Sequence, residues 1–261
     1  MFHNTLAKLG SSLGHMDPKK KGRTMCEIFG AYGWSEGLKL MKWLTDHMLV
    51  RGINHFVPHA FTLADFPDPD CPPHFYARGH NPEFPLFAEL MRYLNRMCHL
   101  LSGGIHIADA AILYHAESEW SGGETMLFQK PGRRLMEHQL DYDVVSVDKL
   151  EEGTADHGRL RIGEETYACL ILPYSERIPD RAAARVIELA KGGVKIFVMD
   201  SLPQQTMGGS KLTDEFRSSV CVVSLERLTE KIPAGIWTEG SFPHLRLYRY
   251  KQKDGLILMV M

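Results

Sequence analysis

Hydrophobic and polar positions divide the first part of the chain into alternating strand-like and helix-like segments. The runs RTMCEIF and INHFVPHAF predict two buried strands that end near Phe29 and His59. Between them, apolar residues recur at helical spacing behind Ser35, a residue type favoured at helix N-caps. A second helical pattern opens at Asn81-Pro82 and stops at Gly103-Gly104. Residues 1–104 therefore predict strand, helix, strand, long proline-rich loop and helix.

After residue 104 the pattern changes to short, continuous apolar runs. These are AAILYH, YDVVSV, YACLIL, VKIFVM and VCVVS. Such runs are typical of parallel strands buried on both faces. Helical stretches around Arg133–Leu140, Pro179–Leu189 and Leu212–Ser218 separate them. The alternation predicts an α/β domain over residues 105–242 with a doubly wound, flavodoxin-like sheet. Two alternating runs around Asp254-Gly255 predict a terminal β-hairpin over residues 243–261.

Composition restricts the classes of function. The 261 residues are 44% hydrophobic and 24% charged, which is ordinary for a globular protein and excludes disorder, collagen and coiled coil. The formal net charge of −2 gives no electrostatic signature for nucleic acid or anionic lipid. No apolar stretch reaches the roughly 18–20 residues that cross a bilayer. We therefore expect no nucleic-acid partner and no membrane span.

Cysteine usage and the first residues bear on the compartment. The five cysteines are an odd number and contain no Cys-x-x-Cys pair, so a disulfide framework is not expected and a reducing compartment is favoured. The start MFHNTLAKLG lacks the basic region and apolar core of a signal peptide. The chain as given is therefore expected to be cytoplasmic, while a secreted or periplasmic location of a longer parent protein stays open.

Glu27 is the first candidate for chemistry. It lies in the strand CEIF, which GAYGW follows. A carboxylate at the carboxyl end of a barrel strand points into the place where barrel enzymes work. The glycines allow a sharp turn, and Tyr32 and Trp34 offer flat faces to a sugar ring. The alternative is a carboxylate that pairs with a nearby cation at a strand end.

Three polar residues accompany the second strand. Asn54, His55 and His59 could donate or accept hydrogen bonds with substrate hydroxyls. His55 and His59 are an even number of residues apart, which places them on one face of an unbroken strand, although Pro58 disturbs that regularity. The alternative for His55 is a core histidine with its own internal partner.

Metal and cofactor patterns are weak. Cys71, His74 and His80 match no closed zinc pattern and lack a fourth ligand. The dinucleotide fingerprint G-x-G-x-x-G does not follow AAILYH. Cys169 lies inside YACLIL without the flanking glycines of a nucleophilic turn, which predicts a buried, inert thiol. We expect neither a metal nor a cofactor.

The strings CEIFGAYGW, MKWLTDHMLVRG and INHFVPHAF resemble the last two βα units of a (β/α)8 glycosidase barrel. The pattern is similar to large bacterial glycoside hydrolases such as α-L-rhamnosidases and β-galactosidases. In these enzymes a flavodoxin-like domain, related in fold to class I amidotransferases, follows the barrel. The resemblance implies that Glu27 ends the seventh barrel strand. It would be the nucleophile of a retaining enzyme or the general base of an inverting one, with Tyr32, Trp34, Asn54 and His59 around a carbohydrate substrate.

The resemblance also implies that six strands and the partner carboxylate lie outside this chain. We therefore predict a fragment of a glycoside hydrolase that is inactive by itself. The alternative is a non-catalytic carbohydrate-binding or oligomerisation module, and the open strand edges of a partial barrel would favour a homo-oligomer. A third hypothesis is a small-molecule enzyme that uses the crevice beyond the second-domain strands, near Glu117, Glu119, Glu176 and Arg177.

Overall fold

One pair of parallel strands organises the amino-terminal part. The computed structural model describes residues 5–240 and 242–261. Its first elements are helix α1 (Leu6–Met16), strand β1 (Met25–Ile28), helix α2 (Leu38–Leu49), strand β2 (His55–Pro58) and helix α3 (Phe84–Leu100), with a 3-10 turn at Ala77–Gly79. β1 and β2 pair in parallel, with Glu27 opposite Val57. The predicted strand, helix, strand, loop, helix order is confirmed.

Helices α2 and α3 begin later than the sequence pattern predicts. Gly37, and not Ser35, is the N-cap of α2, where the Leu38 amide donates to Glu83 Oε2 at 2.8 Å. Glu83 is also the N-cap residue of α3, while Asn81 Oδ1 accepts the Glu83 amide at 3.0 Å. The start of one helix thus supplies the cap of the other, a long-range contact that local patterns do not show. None of the helices within the described ranges is long and apolar enough to cross a membrane.

α2 and α3 cover one face of the strand pair and leave the other open. The covered face belongs to an apolar core that includes Ile28, Leu44 and Leu90. On the open face Met25 is 61% exposed and Val57 is 45% exposed. Full burial of one such side chain stabilises by roughly 1.5–3 kcal/mol. The helix-covered face therefore holds this unit together, and the open face contributes nothing comparable.

The described residues after α3 contain thirteen further strands of two to six residues and six further α-helices. The strands are β3 (Ile105–His106), β4 (Ala110–Tyr114), β5 (Tyr142–Ser146), β6 (Thr154–Asp156), β7 (Arg159–Ile162), β8 (Glu165–Tyr167), β9 (Cys169–Leu172), β10 (Arg177–Ile178), β11 (Lys195–Met199), β12 (Gln205–Thr206), β13 (Cys221–Val223) and, near the end, β14 (Leu247–Gln252), which is followed by β15 (Gly255–Val260). The helices are α4 (Ala116–Trp120), α5 (Gln129–Glu137), α6 (Val147–Glu152), α7 (Asp180–Lys191), α8 (Asp214–Ser219) and α9 (Leu228–Lys231).

A five-stranded parallel sheet forms the centre of this second part. Its order is β13-β11-β9-β4-β5, so all five strands expected from continuous apolar runs are present. One face packs against α6, α7 and α8, and the other against α5 and α9. The order reverses direction between β4 and β9, as in doubly wound sheets. The predicted α/β fold class is confirmed.

The predicted terminal hairpin is present and joins another strand. β14 and β15 are antiparallel, with Gln252 opposite Gly255 across the turn. β14 also pairs with β3, and the Gly104 amide donates to Tyr250 Oη at 2.9 Å. The end of the chain thus packs on the segment that links the two parts. The domain boundaries at residues 104/105 and 242/243 stay predictions.

Helix α1 precedes the first predicted strand and was not predicted from the sequence. Its inner face is polar and packs on β5, with Lys8, Ser11 and Ser12 almost fully buried. Lys8 Nζ lies 2.8 Å from Asp141 Oδ1. Ser12 Oγ donates to Asp143 Oδ1 at 2.9 Å. Because charged and hydroxyl side chains replace the usual apolar stripe, hydrophobic spacing gave no signal for this helix.

Candidate functional site

The strand pair places Glu27 on the open face. Side chains alternate along a strand, so Met25 and Glu27 point to the open face while Cys26 and Ile28 face the helices. Glu27 is exposed and lies one residue before the carboxyl end of β1. The carboxylate is therefore presented at the end of the strands where barrel enzymes bind substrate.

The turn after β1 is held in a strained backbone conformation. Phe29 and Ala31 have φ angles of 79° and 65°, in the left-handed region that favours glycine. Phe29 is 1% exposed, and its ring packs edge-on against Phe75, which anchors the turn in the apolar core. Strain of this kind costs of order 1–3 kcal/mol per residue and concentrates at functional sites. The turn places Tyr32 and Glu27 on the wall of the same cavity.

A cavity of about 230 Å³ lies at this end of the strands. Glu27, Tyr32, His59 and Cys71 contribute to its lining. The backbone amide of His59 donates to the Ile28 carbonyl at 2.8 Å, which joins the ends of the two strands. The cavity thus brings a carboxylate, a phenol and an imidazole together, a set that can hydrogen-bond sugar hydroxyls.

Glycine at position 30 makes room for the His59 ring. A Cβ atom on Gly30 would lie 3.3 Å from His59 Cγ, tighter than ordinary packing. The His59 Nδ1 atom is buried and has no hydrogen-bond partner among the described residues. A ring nitrogen without a partner beside a polar cavity is available to a ligand.

Aromatic side chains of the proline-rich loop pack against Trp34, close to the turn after β1. Trp34 is 44% exposed and contacts the rings of Phe66 and His74 edge-on, at centroid distances of 5.6 and 5.7 Å. The Gly33 amide donates to the Pro72 carbonyl at 2.9 Å, which ties this loop to the turn after β1. Trp34 therefore lies beside the Glu27 turn, with part of its surface free.

Two of the proposed sugar contacts lie at the other end of β2. Asn54 is buried; its Oδ1 accepts the Thr24 amide at 3.0 Å, and its Nδ2 donates to the carbonyls of Gly22 and Leu101 at 2.8 Å each. Its amide is thus hydrogen-bonded to the backbone, and its assignment as a substrate contact stays a prediction. His55 lies opposite Met25 at the start of the strands. This position is two residues, or about 6.6 Å along the strand, before the Glu27–Val57 pair.

Residues of the weak zinc pattern make unrelated contacts. His74 Nε2 lies 3.8 Å from Asp68 Oδ2, and the His80 ring stacks on Phe66 at 4.2 Å. Cys71 belongs to the Glu27 cavity instead. In β9, Cys169 is fully buried, and burial raises the pKa of its thiol to about 12, as expected for an inert core cysteine.

Glu36 is a buried carboxyl group that the sequence analysis did not identify. It is 4% exposed, and neither carboxyl oxygen has a partner among the described residues. Burial raises its pKa from 4.5 to about 7. No sequence signal distinguishes it, because it follows Ser35 in a loop where a solvated glutamate would be ordinary.

The raised pKa of Glu36 predicts that the free energy of unfolding falls as the pH rises. Below pH 4.5 Glu36 is protonated in both the folded and unfolded states; as the pH rises to about 7 the unfolded state loses this proton first, and stability falls. Glu36→Gln should therefore be more stable than wild type above pH 7 by roughly 1–3 kcal/mol, at 1.36 kcal/mol per pKa unit. Urea unfolding at several pH values measures this. Glu89→Gln, on the exposed face of α3, is the matched control; equal pH profiles for wild type and Glu36→Gln would contradict the prediction.

Solved structures show the same fold. The rhamnosidase from Novosphingobium sp. PP1Y aligns with a TM-score of 0.65 at 17% identity, over 98% of this chain and 27% of that one. The GH42 β-galactosidase Gan42B of G. stearothermophilus gives 0.58 at 14% identity, over 82% and 32%. A β-galactosidase from Bacillus circulans sp. alkalophilus gives 0.55 at 14% identity, over 80% and 31%. The chain thus spans about a third or less of the length of these proteins.

Sequence comparison identifies the family. A comparison with curated protein sequences finds no match. The sequence model of glycoside hydrolase family 106, described as α-L-rhamnosidase, matches residues 7–228. This range includes the strand pair, the Glu27 turn and the five-stranded sheet. The chain therefore belongs to the α-L-rhamnosidase family.

Proposed function

We propose that this chain is part of an α-L-rhamnosidase, in which Glu27 is one of the two carboxylates that cleave the glycosidic bond. The observation that carries the proposal is the position of Glu27, exposed on the open face of a parallel strand pair and lining a cavity with Tyr32 and His59. The family description supports a rhamnoside as substrate. The order of the five-stranded sheet supports a flavodoxin-like domain that follows the barrel.

The chemistry needs a second carboxyl group. Glycosidases place two carboxyls about 5–5.5 Å apart when the first attacks the anomeric carbon, and about 6.5–9.5 Å apart when it activates a water. In either case the second protonates the leaving oxygen. Glu27 supplies the nucleophile or the base, and the strands that complete the barrel supply the acid. The anomer first released, followed by proton NMR, distinguishes the two mechanisms.

The isolated chain is predicted to be inactive. Without the acid, departure of the leaving group is unassisted, and the open face admits water to the carboxylate. Hydrolysis of 4-nitrophenyl α-L-rhamnoside by the purified chain should stay at the rate of the buffer blank. Turnover at an ordinary enzyme rate that disappears in Glu27→Gln would contradict this, because it would place both carboxyls within the chain.

Binding of L-rhamnose tests the sugar site independently of turnover. Isothermal titration calorimetry of the isolated chain should show saturable binding of L-rhamnose that is weaker in Tyr32→Ala. The matched control is Trp120→Ala, which removes an 80% exposed aromatic side chain from the second domain. Absence of saturable binding, or equal binding by wild type and Tyr32→Ala, would argue against a sugar site at the Glu27 cavity.

A second candidate function is association without catalysis. The open face exposes Met25 and Val57, and both outer edges of the β1–β2 pair lack a strand partner within the described part of the chain. Exposed edges and apolar faces favour pairing with another chain. Light scattering after gel filtration tests this: a stable oligomer that Val57→Lys dissociates supports an association module, and a monomer argues against it.

A further inference from the structure

A second cluster of polar side chains lies where α1, β3 and β5 meet. His15 comes from the last turn of α1, His106 from β3 and Asp143 from β5. Their side chains are 3%, 0% and 0% exposed. We propose that these three residues form a binding site for a divalent transition-metal ion of the zinc class, which ties α1 to the central sheet. The proposal is independent of the proposed glycosidase function.

The three groups converge at distances that suit one ion. Their ligand atoms all lie within 4.8 Å of one another. His15 Nδ1 lies 3.0 Å from Asp143 Oδ1, and His106 Nδ1 lies 3.1 Å from Asp143 Oδ2. An ion bonded at about 2.0–2.2 Å holds neighbouring ligand atoms about 3.0–3.5 Å apart. In the proposed site, metal–ligand bonds replace these two hydrogen bonds, and the ligand atoms draw together from their present spacing of up to 4.8 Å.

The Nε2 atom of each histidine ring already has a hydrogen-bond partner. His106 Nε2 lies 2.7 Å from Asp141 Oδ2. His15 Nε2 lies 3.3 Å from the Tyr248 hydroxyl. Metal-ligating histidines nearly always use their second nitrogen in this way, because the contact fixes the ring and the tautomer that binds. Both Nδ1 atoms are thus presented to the same point beside Asp143.

The carboxylate is supported in the same manner. The hydroxyl of Tyr167 donates to Asp143 Oδ2 at 3.0 Å, and Ser12 Oγ donates to Oδ1 at 2.9 Å. Ligating carboxylates are themselves hydrogen-bonded in metal sites. Hydroxyl groups from β8 and α1 therefore hold the Asp143 carboxylate in place beside the two rings.

A cavity lies next to the cluster on the side of the two histidines. Its volume is about 320 Å³, and His15 and His106 contribute to its wall together with Gly104 and Gly163. Water in this cavity would complete the coordination sphere. When the ion binds, the proton that each Nδ1 now shares with Asp143 leaves through the cavity to solvent, so that the ring nitrogen can donate its lone pair.

The donor set selects the class of ion. Two imidazole nitrogens and one carboxylate oxygen suit Zn²⁺ and its transition-metal neighbours, whereas Ca²⁺ and Mg²⁺ prefer all-oxygen sites. The ligands come from positions 15, 106 and 143, so the ion would link distant segments and couple binding to folding.

Zinc binding to the full chain tests the proposal. After treatment with a chelator and gel filtration in micromolar ZnCl₂, mass spectrometry of the eluted protein should find one Zn²⁺ per chain, and zinc should raise the thermal midpoint. His15→Gln should abolish both effects, with circular dichroism reporting whether the variant folds. The matched control His157→Gln, which changes a side chain that is 97% exposed next to Asp156, should retain both.

Two results would overturn it. In the first, the wild-type chain is folded but elutes without zinc. This result requires no variant, and it would show that the cluster is only a hydrogen-bond network. The other is folded His15→Gln that retains one Zn²⁺ with an unchanged thermal midpoint, which places the zinc elsewhere. Replacement of Zn²⁺ by Co²⁺ adds a spectroscopic check, because four-coordinate Co²⁺ absorbs visible light much more strongly than hexahydrated Co²⁺.

Discussion

Replacing Glu27 by glutamine is expected to lower kcat by about 10³-fold or more in a completed barrel, which costs about 4 kcal/mol of transition-state stabilisation at 1.36 kcal/mol per factor of ten. A completed barrel here means this chain combined with the six further βα units that the proposed function requires, joined before residue 1 or added as a separate polypeptide. The amide has the shape of the carboxylate but neither attacks the anomeric carbon nor accepts a proton from water. Steady-state hydrolysis of 4-nitrophenyl α-L-rhamnoside measures the loss.

The control for this prediction is Glu89→Gln, which also removes one negative charge but lies exposed on α3. Its kcat should remain within about twofold of wild type, because surface substitutions away from the site change little. Equal activity of Glu27→Gln and Glu89→Gln would show that Glu27 is not a catalytic carboxylate.

Replacing Lys8 by methionine is expected to destabilise the chain by about 3–5 kcal/mol. Lys8 is 1% exposed, and its ammonium lies 2.8 Å from Asp141, whose side chain is 8% exposed. Methionine fills much of the same space but removes one of the two cationic groups that contact the buried Asp141 carboxylate, the other being His106, whose Nε2 lies 2.7 Å from Oδ2. Removal of one partner of a buried ion pair is costlier than removal of the whole pair. The free energy of unfolding, from urea titration at constant pH, measures the effect.

The matched control is Lys42→Met on α2. Lys42 Nζ lies 2.6 Å from Asp46, yet the lysine side chain is 50% exposed. Water screens such a pair, and its loss should cost no more than about 1 kcal/mol. If Lys8→Met were as mild as Lys42→Met, the α1–β5 contact would not be a main support of the fold.

Local sequence pattern was sufficient for most of the strands. The runs around Ile112, Val144, Ile171 and Val198 are continuous and apolar because these four strands of the central sheet lie between two helical layers. That information is contained in five or six adjacent residues. Helix α1 could not be found in this way, since the groups that pair with its polar face lie more than 120 residues away.

The proximity of Tyr32 and His59 to Glu27 could be predicted because both residues lie within a few positions of the ends of β1 and β2, and both line the Glu27 cavity. The hydrogen bonds between the Asn54 amide and the backbone could not be predicted, because the residue type suggests hydrogen bonding but does not show the partner. Glu36 was missed because burial of a loop carboxyl depends on packing by distant residues.

The measurement that tests the central claim most directly is a comparison of two substrates on the completed barrel. Initial rates with 4-nitrophenyl α-L-rhamnoside and 4-nitrophenyl β-D-galactoside give kcat/KM for each. The account predicts a preference for the rhamnoside of about 10²-fold or more, because a site built for one pattern of hydroxyls leaves its polar groups unpaired with another. A folded barrel that prefers the galactoside, or that cleaves neither substrate, would contradict it.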